Sequence, residues 1–158
     1  MQDLVGYARD PRVDGRQSKA ALDIQRGLCR HLIDLGEAPL AEFSLANGRR
    51  ADVFSVDRAG QMTIFEIKSS LADFRADTKW EEYAAYSDAF AFAVGPAFPL
   101  QILPAHVGVI VADRFSAEVL RPPTGDRLAP ARRKKLLLSF ALAAAHRVHR
   151  MADPAKDV

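Results

Sequence analysis

The run Arg50-Ala51-Asp52-Val53-Phe54-Ser55-Val56, then Asp57-Arg58-Ala59-Gly60-Gln61, then Met62-Thr63-Ile64-Phe65-Glu66-Ile67-Lys68, decides how this chain is organised. Two apolar runs flank a short Asp/Gly turn signal, so they read as consecutive antiparallel strands. In the second run Met62, Ile64, Phe65 and Ile67 fall on both faces, as in a strand inside a sheet. If Arg58-Ala59-Gly60 is a three-residue loop with its glycine left-handed, Asp57 faces Gln61, Val56 faces Met62, Phe54 faces Ile64 and Asp52 faces Glu66. Opposed Cβ atoms in such a pair lie about 4.5–5.5 Å apart. Two carboxylates are thereby forced together, and Lys68 leaves the same face one step on.

Working outward, the spacing of Ala21, Ile24, Leu28, Leu32 and Leu35 predicts a helix from Ser18 to Leu35, with Gly36 as its stop. Pro39–Leu45 reads as the first strand, leading into the hairpin signal Asn47-Gly48. Beyond Lys68, Thr78-Lys79-Trp80-Glu81 has the form of a capping box and predicts a helix through Tyr83 and Tyr86 to about Asp88. Ala89–Val94 reads as a buried strand, residues 95–106 as a loop, and Val107–Ala112 and Ala117–Arg121 as two more strands. A last helix spans about Pro130 to Arg150. The order α-β-β-β-α-β-β-β-α is an α/β fold with an antiparallel hairpin start and one crossover helix before the fourth strand. Residues 1–15 read as a flexible arm, 16–150 as one domain and 151–158 as a tail.

A chain of 158 residues, 49% hydrophobic and 27% charged, has the balance of a globular domain. One cysteine, Cys29, excludes an intramolecular disulfide framework and reads as a packed thiol. The first twenty residues lack the apolar run of a signal peptide, and no window reaches a membrane span, so a cytoplasmic location is expected. A net charge of +2 says little, but residues 127–150 carry Arg127, Arg132, Arg133, Lys134, Lys135, Arg147 and Arg150 with no acid. That run suits phosphate contacts or, equally, a solvated helix face. Serine-hydrolase, Walker and Rossmann glycine patterns are absent.

Two facing carboxylates repel unless a cation lies between them, and hard Mg²⁺ or Mn²⁺ prefers carboxylate oxygens. Mg²⁺ needs only one or two, with water and substrate phosphate completing its shell, and the Ile67 carbonyl is a further candidate ligand. Lys68 beside such an ion would orient attacking water and stabilise charge on a phosphate. The alternative is an ordinary Asp–Lys–Glu ion cluster on a solvated sheet face.

Asp52 followed by Glu66-Ile67-Lys68 resembles the D…(D/E)xK signature of restriction-endonuclease-like nucleases, the PD-(D/E)xK superfamily. That resemblance implies an α-β-β-β-α-β core with a mixed central sheet flanked by helices; two further strands and a C-terminal helix are added here. It implies that Asp52 and Glu66 bind one or two Mg²⁺ or Mn²⁺ ions and that Lys68 assists the attacking water. More closely, Glu42-Phe43-Ser44-Leu45, Asn47-Gly48-Arg49-Arg50-Ala51-Asp52, Glu66-Ile67-Lys68-Ser69-Ser70 and Lys79-Trp80 with Tyr83 resemble the bacterial MmcB-like DNA repair protein family. This implies a role in DNA repair and DNA as partner, without establishing cleavage.

Many superfamily nucleases place a further glutamate on the first helix. Asp23, Glu37 and, on the first strand, Glu42 are the candidates here, with Glu42 preferred. Glu42 reaches the Asp52 face if the Asn47-Gly48 loop exceeds two residues. Lys79 and Tyr83 match the spacing of the Gln-x-x-x-Tyr motif of RecB-like members, with lysine in place of glutamine. Candidate DNA contacts are Arg49, Arg50, Ser69, Ser70, Lys79, Tyr83, Arg132, Arg133 and Lys134. Trp80 reads as core packing, with base stacking the alternative.

Three functions compete: a Mg²⁺-dependent DNA nuclease, a non-catalytic DNA- or partner-binding module of the same fold, and a phosphohydrolase of small nucleotides. The short chain leaves little room for a recognition domain, so targeted cleavage would call for other repair proteins or a homodimer.

Overall fold

The computed structural model describes residues 17–154. The arm expected over residues 1–15 and the last four residues of the expected tail lie outside them. The elements are α1 (Lys19–Asp34), β1 (Ala38–Ser44), β2 (Arg50–Val56), β3 (Met62–Lys68), α2 (Leu71–Ala76), a 3₁₀ segment (Trp80–Tyr86), β4 (Ala89–Val94), a short 3₁₀ turn (Leu100–Ile102), β5 (Gly108–Ala112), β6 (Ala117–Arg121) and α3 (Pro130–Ala152). Six strands form one mixed sheet in chain order, β1 to β6. β1, β2 and β3 pair antiparallel, β3, β4 and β5 pair parallel, and β6 returns antiparallel.

Burial follows from strand alternation. On one face α1 lays Ile24, Leu28 and Leu32 on Val53, Phe65, Ile67, Ala91, Ala93, Ile110 and Ala112. The three alanines leave room for the helix to approach, and at Gly27 an added Cβ would stand 1.8 Å from the Asp113 carbonyl oxygen. On the other face Phe54, Ile64, Phe92, Val94 and Val109 form the larger core, covered by α2, the 3₁₀ segment and α3. β3 is buried over its whole length, as its two-faced apolar pattern predicts.

The β2–β3 turn has the expected form: Asp57 N–H donates to Gln61 O, Gly60 N–H donates to Asp57 O, and Gly60 has φ 79°. Phe54 therefore faces Ile64 and Val56 faces Met62. α1 is capped by the Ser18 hydroxyl, which accepts from Ala21 N–H, and ends at Gly36 with φ 80°.

The region after β3 corrects the expectation of one helix from Thr78 to Asp88. Instead, Ser70 caps the short helix α2, accepting from Asp73 N–H, while Asp73 accepts from Ser69 N–H. This is a reciprocal cap eight residues earlier than the one anticipated at Thr78. The chain is extended at Asp77 (φ −87°, ψ 108°), then winds as a 3₁₀ segment with no side-chain cap. Three residues per turn bring Trp80, Tyr83 and Tyr86 onto one face, and all three pack on the larger core. Trp80 stacks on Phe90 at 5.6 Å, so it is a core residue. Smaller differences are that β1 starts and ends one residue early, Val107 precedes β5, and α3 runs two residues past Arg150 into the expected tail.

Among the described residues, no helix is long and apolar enough to cross a membrane.

Candidate metal centre

The β2–β3 ladder runs from Val56↔Met62 to Val53↔Phe65, and its next step sets Asp52 against Glu66. Alternation places both acids, with Lys68, on the face of Phe54 and Ile64. The strands part at that step because a side chain replaces a main-chain acceptor: Asp52 Oδ2 accepts from Ile67 N–H at 2.7 Å. β3 keeps its parallel pairing to β4 through Lys68↔Val94, so the acids sit where one edge of β3 is released and the other is held.

Glu66 and Lys68 are buried, at 8% and 4% exposure. Burial, followed by the neighbouring Asp52 charge, pushes the Glu66 carboxyl up to about 9. Burial also raises Asp52 to about 6, although the Ile67 N–H opposes this. Desolvation works against the Lys68 ammonium, yet hydrogen bonding to Asp77 and the surrounding carboxylates hold it above its ordinary range. Its Nζ lies 2.8 Å from Asp77 Oδ2 and 3.7 Å from Glu66 Oε1. Glu66 Oε2 is buried without a hydrogen-bond partner. An orphaned buried carboxylate oxygen is costly unless something positive fills its lone pairs.

Of the candidates for a third acid, Asp23 pairs with Lys19 on the exposed side of α1 and Glu37 accepts from the Ser55 hydroxyl on the α1 face. Neither joins the acid pair. Glu42 falls opposite Asp52, between Ala41↔Val53 and Phe43↔Ala51, and its charge raises Asp52. The β1–β2 connection exceeds two residues, closing with Leu45 N–H on Arg49 O and Gly48 at φ 82°. Glu42 itself has φ 53°, a strained value for a non-glycine residue. Arg147 of α3 secures that turn by donating to the carbonyls of Ala41 and Glu42. The Glu42 carboxylate meets Arg50 at 2.5 Å and accepts from Gln17. Among the described residues, no group of three or more His, Cys, Asp or Glu side chains is arranged to hold a metal ion. The acids that the β2–β3 register brings together are the pair Asp52 and Glu66.

The expected DNA contacts separate into two groups. Arg49 pairs with Glu82 at 2.6 Å with its guanidinium 6.0 Å from the Tyr83 ring centre, and Tyr83 OH donates to Arg50 O. Burial and the charges of Glu66 and Asp52 push the Tyr83 hydroxyl well above its usual range. Lys79 is exposed at the start of the 3₁₀ segment, and because that segment is not α-helical, Lys79 and Tyr83 do not share the face that α-helical spacing implies. Arg132 donates to Ala85 O and lies over the Tyr86 ring, and Lys134 is exposed.

Two of the expected contacts, Arg133 and Ser70, are engaged within the fold. Arg133 belongs to the fold, since its guanidinium bonds the buried Asp88 carboxylate and Gly60 O. Asp88 also accepts from Met62 and Leu128 N–H, joining β3, the loop before α3 and α3 itself. Ser70 is occupied as the cap of α2. Asp77 and Gln17 are neighbours of these acids that the sequence did not announce, and the place of Arg147, read there only as part of a basic run, was not legible; these contacts act across 9 to 106 positions of chain.

The family model described as DNA repair protein MmcB-like matches residues 8–155. Among solved structures, the SPO1766 protein of unknown function from Silicibacter pomeroyi is similar at 39% identity, covering 90% of this chain and 97% of its own, with a TM-score of 0.83. No curated protein matches the sequence.

Proposed function

The chain belongs to the MmcB-like DNA repair protein family, and from that premise we propose that it cleaves DNA phosphodiesters at a divalent-metal site of the PD-(D/E)xK type formed by Asp52, Glu66 and Lys68. The observation that carries this proposal is Glu66 Oε2, buried and unpartnered beside a second carboxylate. Asp52 and Glu66 would hold a Mg²⁺ or Mn²⁺ ion, with the Ile67 carbonyl as a further donor and Glu42 behind them. When bound, such an ion supplies charge neutralisation and Lewis acidity toward a phosphate. The chain's own contributions are positional. Asp52 is oriented by the Ile67 N–H. Lys68, kept charged, presents a cation to the phosphate and to the attacking water. Arg49, Arg50 and Lys79 at the rim, with Arg132 and Lys134 beyond them, suit the sugar–phosphate backbone.

Incubation of the pure protein with nicked, flapped, single-stranded and duplex DNA plus Mg²⁺ or Mn²⁺ tests this. Cleavage that is lost on chelation and in Asp52→Asn and Glu66→Gln is expected. Cleavage that survives both substitutions points to a contaminant and removes the proposal. A second reading, a DNA-binding module without turnover, draws support from the basic residues exposed on α3. It predicts salt-dependent binding that is indifferent to metal and to Lys68→Met.

A further inference from the structure

Lys68 is a buried ammonium with two carboxylates in reach, and the two are unequal. Asp77 Oδ2 lies at 2.8 Å, a charge-assisted hydrogen bond, while Glu66 Oε1 lies at 3.7 Å, outside hydrogen-bond range. The side chains of Lys68 and Asp77 are 5% and 15% exposed, so water competes weakly for either. Asp77 is itself fixed from several directions. It follows the last turn of α2 in extended backbone, its N–H donates to Phe74 O, and its other oxygen, Oδ1, accepts from Lys79 N–H at 2.9 Å. No part of the E-x-K signature includes it.

We propose that Asp77 is a positioning residue that holds the Lys68 ammonium away from Glu66 and so keeps Glu66 Oε2 open to a divalent cation. The inference rests on the metal site proposed above. An ammonium and a divalent cation compete for the same carboxylate, and the four-carbon stem of lysine readily swings through the angstrom that separates its present place from a hydrogen bond to Glu66. Without the Asp77 charge, Lys68 neutralises Glu66 and occupies the lone pairs that the metal needs. Asp77 therefore decides which cation Glu66 takes.

The test is Mn²⁺ binding to the full chain, by isothermal titration and by the electron paramagnetic resonance signal of free Mn²⁺, with thermal melts confirming that each variant folds. The wild type, Asp77→Asn, Lys68→Met, the double variant and Asp77→Glu are compared. Asp77→Asn is expected to weaken Mn²⁺ binding about tenfold or more, while Lys68→Met binds at least as tightly as wild type. On the Lys68→Met background, adding Asp77→Asn changes affinity by no more than about threefold, because the competing ammonium is gone. Asp77→Glu, which keeps a carboxylate beside Lys68, returns affinity to within about threefold of wild type. Equal losses on both backgrounds would show that Asp77 acts only through its own charge and would overturn the proposal, as would unchanged affinity in Asp77→Asn. A wild-type chain that binds no Mn²⁺ would instead bring down the metal site itself, a distinct result.

Discussion

Replacing Glu66 by glutamine keeps the shape of the side chain and removes its charge, and the effect on the metal-free protein should depend steeply on pH. In the folded chain the Glu66 carboxyl is raised to about 9 by burial and by Asp52, from an ordinary value of 4.5. A folded state that holds the proton more tightly than the unfolded chain loses stability as pH rises between those two values. Each pH unit within that window costs up to about 1.4 kcal/mol per proton, so moving from about pH 5 to about pH 8 costs the wild type about 4 kcal/mol at this residue. At this chain length about 1 kcal/mol corresponds to about 2–4 °C in Tm. Glu66→Gln has no proton to lose. Its Tm should stand above that of wild type by about 10 °C at pH 8 in EDTA, the gap closing toward pH 5. Excess Mg²⁺ or Mn²⁺ at pH 8 should then raise the wild-type Tm and leave Glu66→Gln unmoved, since a ligand at about 100 times its Kd contributes about 2.7 kcal/mol. Differential scanning fluorimetry from pH 5 to 8, with and without metal, reads all of this. Parallel Tm–pH curves for the two proteins would show that Glu66 is not held protonated by its surroundings, and the reasoning would fail.

Arg133→Ala leaves Asp88 as a buried carboxylate without its guanidinium and should cost about 3–5 kcal/mol in urea denaturation. Lys134→Ala should leave stability nearly unchanged, and Arg132→Ala, which loses the Ala85 carbonyl and the Tyr86 ring, should cost about 1 kcal/mol; each should weaken DNA binding and reduce its salt slope by about one. Gly27→Ala would drive a methyl into the carbonyls of Asp113 and Ser116, and a loss of about 3 kcal/mol or failure to fold is expected from overpacking against backbone. Ser70→Ala removes the cap of α2 and should cost about 1 kcal/mol in the same denaturation assay.

Much of the fold could be read along the chain because its signals are local. Asp57-Arg58-Ala59-Gly60 carries its own turn chemistry: the Asp57 carboxylate accepts from Ala59 and Gln61 N–H, and Gly60 takes the left-handed position. That turn sets the register, and register by itself carries Asp52 toward Glu66. The helix after β3 is hard to place from sequence because two cap signals compete within twelve residues. Ser70-Leu71-Ala72-Asp73 forms its cap and Thr78-Lys79-Trp80-Glu81 does not. What decides between them is the aromatic spacing of Trp80, Tyr83 and Tyr86, which suits three residues per turn once a core exists to receive the rings.

The sequence by itself determined the six strands along the chain, the β2–β3 register and the facing of Asp52 and Glu66, because hydrophobic period and turn type act over a few residues. Only the tertiary structure decided how those acids are served. It turned Arg133 from a surface cation into the partner of Asp88, set Glu42 across from Asp52 through a left-handed turn clasped by Arg147, and brought Asp77 to Lys68. Each of those contacts joins elements that pack on a common sheet face, and whether a charge is free or paired is fixed by who arrives beside it, which no local pattern encodes.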